Sequence, residues 1–351
     1  MTSHTLTPAL PSTAPAIAVI GCGAIARGAH VPALAQHADV LERAILVDQD
    51  LTRADGLARE FGIAATATDY RDVLPKVRGA VIALPHHLHF PVALDCVRAG
   101  VHVLCEKPLA ASAAEAAQLV AAGKRARVKL AVNHIRRLFP SCVAVQELLQ
   151  RGAIGTVRFI GYSDGFEYDW PCASGFAFGL ESGGKGVLFD IGAHVLDLIC
   201  WWLGRSLVIT DYVDDSFGGS EAVAKVSLSD AGATLRCEVH LSWLAKLPNG
   251  FRIEGDEGTI TGSTYDWDSV ELTSKAGRRR SIPLKTNVRS LGDIAPLIMS
   301  NFLAMVEDEA APLVPGREVV PSIGLIEACY ARRRRFALPW QEDLERIRYA
   351  G

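Results

Sequence analysis

The chain has 351 residues, 36 Lys+Arg against 39 Asp+Glu, and a formal net charge of −3. Its 49% hydrophobic and 21% charged residues are the composition of a globular protein of about two domains, which excludes disorder of the whole chain. The slightly acidic balance argues against a nucleic-acid partner, and no apolar run approaches the ~18–20 residues of a membrane-spanning helix, so no membrane partner is implied either.

Residues 1–15 carry no Lys or Arg and no apolar core of a signal peptide, and read as a disordered lead-in rich in Pro, Ser and Thr. Residues 16–135 alternate short apolar runs with segments of helical spacing. The runs at 16–20, 44–47, 81–84, 101–104 and 130–132 predict strands buried on both faces. The segments at 24–36, 51–61, 91–99 and 112–127 predict helices, with a shorter one at 69–74. Strand, helix, strand at this rhythm predicts βαβ units in a doubly wound parallel sheet, a Rossmann-type dinucleotide-binding domain.

Beyond residue 135 the periodicity changes to two. Ala222, Ala224, Val226 and Leu228 form one alternating set; Leu235, Cys237, Val239 and Leu241 form another. With Asp256-Glu257-Gly258 as a hairpin turn and helices at 190–203, 294–309 and 322–335, residues 136–351 predict an α+β domain with an open, mostly antiparallel sheet. An open sheet face implies pairing into a homodimer or homotetramer. The loop 163–186, mixed in aromatics and glycines, is a candidate lid or substrate wall. The basic runs Arg278-Arg279-Arg280 and 332–335 read as a solvated turn and a solvated or interface-lining helix face. The eight cysteines form no CxxC pair, which points to free thiols in a cytoplasmic protein and to no zinc site.

The first strand runs into Gly21-Cys22-Gly23-Ala24-Ile25-Ala26, a GxGxxA between a strand and a helix. Gly21 allows a tight turn, Gly23 lets the backbone approach a pyrophosphate, and Ala26 permits close helix–strand packing; the phosphates then lie on the helix N-terminus beside Ala24 and Ile25. Asp48 ends the next strand, about 20 residues on, where an acid binds the adenosine ribose and repels a 2′-phosphate. NAD is therefore expected as cofactor, with NADP disfavoured.

Three further motifs carry a resemblance: Pro85-His86-His87-Leu88-His89; Gly100-Val101-His102-Val103-Leu104-Cys105-Glu106-Lys107-Pro108; and Gly183-Gly184-Lys185-Gly186-Val187-Leu188-Phe189-Asp190-Ile191-Gly192-Ala193-His194. In this order, across both domains, the sequence resembles the Gfo/Idh/MocA oxidoreductases, which include glucose–fructose oxidoreductase and inositol dehydrogenase. It departs from them where His86 replaces the usual Asn and Leu84 the usual polar residue.

The resemblance implies hydride transfer between a nicotinamide and a secondary alcohol or ketone on a sugar, cyclitol or sugar derivative. Lys107, at the carboxyl end of a strand, is then placed to hydrogen-bond the reacting oxygen. Asp190 and His194, at i and i+4 on one helix face, orient the substrate and exchange its proton. Pro85, His86, His89 and Glu106 border the cofactor; Asn133, Arg136 and Tyr162 border the substrate, with Tyr162 and Tyr168 as alternative acids. The three histidines at 86, 87 and 89 are not read as a metal site. Two other functions are compatible with such a fold: a ligand-sensing regulator, against which Lys107, Asp190 and His194 argue, and an NAD-using glycosidase, whose Gly-Gly-His stretch Gly183-Gly184-Lys185 does not match.

Overall fold

The computed structural model describes residues 16–171, 185–216 and 219–337. The first sheet contains β1 (Ile17–Ile20), β2 (Ile45–Val47), β3 (Ala65–Ala67), β4 (Gly79–Ile82), β5 (His102–Cys105) and β6 (Leu130–Val132). Its order is β3-β2-β1-β4-β5-β6, and every pair is parallel. The continuous apolar runs are explained by burial: all four residues of β1 and all four of β4 are buried. Strand order reverses between β1 and β4, and the carboxyl ends of such neighbours open a crevice.

The helices of this part are α1 (Val31–Leu34), α2 (Ala38–Leu41), α3 (Leu51–Phe61), α4 (His86–Arg98) and α5 (Ala113–Ala126). Asp50 caps α3 by accepting from Thr52 and Arg53 N–H groups, and Ser112 caps α5 through Glu115 N–H. Three details differ from the sequence reading. The helix after β1 carries a π-helical turn, Ala26–His30, where the buried His30 side chain is turned inward. The helix α4 begins at His86, five residues before Pro91, which removes only one bond from its second turn. The strand β3 has three half-buried residues at the sheet edge and offers too short a pattern to read.

The second sheet has nine strands: β7 (Val157–Gly165), β8 (Leu207–Asp214), β9 (Val223–Asp230), β10 (Arg236–Ser242), β11 (Gly250–Gly255), β12 (Gly258–Ser263), β13 (Ser269–Ser274), β14 (Arg279–Pro283) and β15 (Arg334–Arg335). They lie in the order β14-β13-β12-β11-β7-β10-β9-β8-β15. The pairs β7·β10 and β8·β15 are parallel and the others antiparallel. Asp256 and Glu257 form the expected hairpin turn between Gly255 and Gly258.

The helices here are α6 (Pro140–Gln150), α7 (Val187–Leu203), α8 (Ile294–Val306) and α9 (Gly316–Ala331). The last basic run is not a helix face. The helix α9 ends at Ala331; Arg333 is drawn in by the fully buried Asp214 and Glu221, and Arg334 and Arg335 pair with β8. The apolar helix α7 packs on β10 and α9, which brings its first turn to the mouth of the crevice. On the opposite side, α8 packs on β5 and on the helix after β1.

Candidate active site

A cleft of about 1090 Å³ runs from Asp48 and Arg53 past Gly21 and Gly23 to Lys107, Asp190 and His194. Gly21 has φ +96°, and a Cβ there would lie 2.2 Å from the Ala83 carbonyl, so the turn admits no side chain. Gly23 differs: a Cβ there meets nothing within 4 Å. The space above this backbone is open, on a cleft floor that Ala24 and Ile25 continue. That opening fits a dinucleotide pyrophosphate lying against the chain. Gly23→Val is therefore expected to leave the fold intact and to remove NAD binding. Calorimetric titration beside a circular dichroism spectrum checks this; undiminished affinity in the folded variant contradicts it.

Asp48 lies at the carboxyl end of β2. Its Oδ2 accepts from Cys22 N–H at 2.9 Å and its Oδ1 from Asp50 N–H at 2.9 Å. Arg53 Nη1 approaches both oxygens, at 3.2 and 3.3 Å. Capping of α3 falls to Asp50, so Asp48 ties the glycine turn to the neighbouring strand end and still lines the cleft.

At the other end, Lys107, just past the end of β5, meets Asp190, in the first turn of α7. Lys107 Nζ lies 2.5 Å from Asp190 Oδ1 and 3.1 Å from the Asp190 carbonyl oxygen. Trp243 Nε1 donates to Asp190 Oδ2 at 3.3 Å. His194 stands one turn further along α7, and its Nδ1 is buried without a partner among the described residues. Burial, then the charges of Lys107 and Arg136, push the His194 imidazole well below its ordinary range. The imidazole is thereby held neutral.

Glu106 is held in place rather than free to react. His30 Nε2 donates to its Oε1 at 2.8 Å and Asn133 Nδ2 at 2.6 Å. Burial opposes its charge, but these bonds and Lys107 hold its carboxyl below the usual range. The π-helical turn thus aims His30 at the residue next to Lys107. Arg136 lines the cleft, with Asp164 as ion-pair partner and Tyr265 Oη at 3.2 Å.

Pro85 and His86 line the middle of the cleft, where His86 packs on Phe189 with ring centroids 5.0 Å apart. His89 bridges two loops, its ring nitrogens 2.7 and 2.8 Å from the Pro108 and Leu84 carbonyl oxygens. Among the described residues no group of three or more His, Cys, Asp or Glu could hold a metal ion.

Tyr162 does not border the cleft. The alternation of β7 turns it into the core against Trp202 and Phe251, with its hydroxyl bonded to Thr264 Oγ1 and burial pushing that hydroxyl upward. Tyr168 does line the cleft, packed on Trp243 with centroids 4.8 Å apart, beside Phe166 and Trp170. Residues 172–184 of the expected wall lie outside the described residues. Trp243, Tyr265 and Lys185 also line the cleft and were missed as site residues. Trp243 and Tyr265 stand just past strand ends with no local pattern to mark them, and Lys185 lies inside the Gly183-Gly184-Lys185-Gly186 motif without having been assigned a role.

Buried imidazoles make the fold sensitive to acid. Burial lowers the pKa of His86 and His194 well below 6.5 and that of His134 to about 4. The unfolded chain takes up these protons near pH 6.5 while the folded one does not, so their destabilising effect is absent above that pH and grows as pH falls below it. Each group steepens the fall by about 1.4 kcal/mol per pH unit. Denaturant midpoints between pH 7.5 and 5.5 check this; a flat profile contradicts it.

A parallel sheet with a glycine turn and an acid at the end of the next strand, facing a carboxylate and an imidazole from a helix beside the second sheet, is the arrangement of a nicotinamide-dependent oxidoreductase. The comparisons agree. Residues 16–134 match the oxidoreductase family model with NAD-binding Rossmann fold, and residues 142–261 match the Gfo/Idh/MocA C-terminal domain. The chain belongs to the Gfo/Idh/MocA family. It is 31% identical to a dTDP-3,4-didehydro-2,6-dideoxy-alpha-D-glucose 3-reductase of Streptomyces violaceoruber, over 70% of this chain and 71% of that one. Levoglucosan dehydrogenase, solved with NADH and levoglucosan, superposes with TM-score 0.76 at 20% identity over 90% of this chain and 96% of the other. A 3-ketoreductase of Actinomadura kijaniata, solved with NADP and TDP-benzene, gives TM-score 0.76 at 21% identity over 92% and 99%. No helix among the described residues is long and apolar enough to cross a membrane.

Proposed function

We propose that the protein interconverts a secondary alcohol and a ketone on a sugar, cyclitol or sugar derivative, with NAD as the preferred cofactor. The observation that carries this is the meeting of Lys107, Asp190 and His194 at one end of a cleft whose other end is the Gly21–Gly23 turn and Asp48. The named 3-reductase among the relatives supports the substrate class. When bound, the nicotinamide supplies the chemistry of accepting or giving a hydride at carbon.

The chain's own residues do the rest. In alcohol oxidation, neutral His194 takes the hydroxyl proton as the C–H bond is broken and the carbonyl forms. The Lys107 ammonium donates to the same oxygen and stabilises the charge that develops on it. Asp190 holds that ammonium, and is itself held by Trp243. In reduction the proton returns from His194 to the oxygen. Arg136, Asn133 and the aromatic wall of Tyr168 and Trp170 shape the space that the sugar fills.

The NAD preference rests on Asp48, whose carboxylate hydrogen-bonds ribose hydroxyls and repels a 2′-phosphate. Asp48→Ala should weaken NAD about ten- to a hundredfold, the loss of a charged hydrogen bond, and narrow the discrimination against NADP. Steady-state kinetics with both cofactors test it; a wild-type preference for NADP contradicts it.

A further inference from the structure

Among the described residues five Lys and Arg side chains line the cleft, and four of them are ion-paired in place. Arg53 pairs with Asp48, Arg71 with Asp69, Lys107 with Asp190 and Arg136 with Asp164. Lys185 is the fifth, and among the described residues no carboxylate oxygen lies within ion-pair distance of it. Its ammonium has three donors. The described residues offer it the face of Phe189, 4.1 Å from the ring centroid, and the Ala111 carbonyl at 3.5 Å. Among the described residues the charges of Glu115, Glu327 and Glu221 reach it from a distance, and each carboxylate is bonded elsewhere, by Ala111 N–H, by Ala113 N–H and by Arg333.

The backbone just after Lys185 is fixed. Buried Glu221 accepts through Oε1 from Gly186 N–H at 3.0 Å and Leu188 N–H at 3.1 Å, while its carbonyl accepts from Val187 N–H at 2.8 Å. A Cβ on Gly186 would lie 1.9 Å from that carbonyl oxygen, so the close contact requires glycine. The cation is thereby set five residues before Asp190, against the Phe189 ring that also packs on His86. A half-buried ammonium loses hydration, and an anion brought into the cleft restores what it has lost.

We infer that Lys185 forms an anion-binding subsite beside the reacting end of the cleft, and that the sugar substrate bears a carboxylate or phosphate group. This rests on the sugar oxidoreductase reading above and names the substrate class within it. The carboxylate of a sugar acid and the phosphate of a sugar phosphate share the recognising chemistry. With a neutral sugar, no carboxylate among the described residues stands at ion-pair distance from the ammonium.

The test uses the full chain with NAD and matched probes: D-glucose and D-galactose, the corresponding uronates, and the corresponding hexose phosphates. Wild type is expected to favour a uronate or a phosphate over its neutral parent in kcat/KM; which of the two separates the sources of the anion. In K185M, and in K185Q should the first variant fold poorly, that ratio is expected to fall ten- to a hundredfold. NAD titration confirms that each variant retains the cofactor site. Turnover of neutral sugars with no preference for acids, or a ratio unchanged in both variants, overturns the inference and leaves the oxidoreductase reading standing. Absence of turnover with all probes, with NAD still bound, counts against that reading and takes the inference with it.

Discussion

Replacing His194 with alanine should lower the rate of hydride transfer by about 10²–10⁴, the range for loss of a general acid–base group, while NAD still binds. The reason is local. His194 lies one helical turn after Asp190 on α7 and lines the same cleft, its Nδ1 has no partner among the described residues, and burial keeps it neutral. A neutral imidazole accepts a proton; an imidazolium does not. Because its pKa lies well below the ordinary value of 6.5, alcohol oxidation should persist as pH falls through 6.5 and decline only at lower pH. Single-turnover measurements on wild type and variant, with a pH–rate profile, check both statements. A near-normal rate in His194→Ala moves the proton role to Lys107 or Tyr168.

Removing the Lys107 ammonium should have the second large effect. Its side chain is 13% exposed and lies 2.5 Å from Asp190, so Lys107→Met leaves a carboxylate without its cation at the reacting end. We expect turnover to fall about 10²–10³-fold, as when one preorganised donor to a developing oxyanion is lost. Lys107→Arg should not restore it, because a planar guanidinium cannot occupy the place of a compact ammonium. Asp190→Asn should cost less than either change if the carboxylate only orients Lys107. Rates above a tenth of wild type in Lys107→Met would remove the ammonium from the chemistry.

Much of this arrangement was legible before the structure. Strands buried on both faces announce themselves as apolar runs, so β1, β5 and β6 were found within a residue or so of their bounds. The placement of the glycine turn and of Asp48 was legible because it depends on backbone and spacing. Lys107, Asp190 and His194 were legible as candidates, though the meeting of the β5 loop with the first turn of α7 is a tertiary fact that no local pattern encodes. The short edge strand β3 escaped notice, as did the departure of Arg333 from α9, which answers to the buried carboxylates of Asp214 and Glu221. Tyr162 was misplaced because it was grouped with the lid segment, where no strand was read; it lies on β7, and Thr264, its hydroxyl partner, is 102 residues away. Lys185 passed unremarked as a site residue within a glycine motif, since its lack of a carboxylate partner is visible only in three dimensions.

The most direct test of the central claim is a spectrophotometric screen of the purified protein with NAD against neutral and acidic sugars and polyols, and with NADH against ketosugars. The account predicts net, stoichiometric conversion between NAD and NADH with at least one member of the panel, lost in His194→Ala and Lys107→Met although both variants bind the cofactor. Tight NAD binding with no net turnover of any compound, in wild type as in the variants, would contradict it.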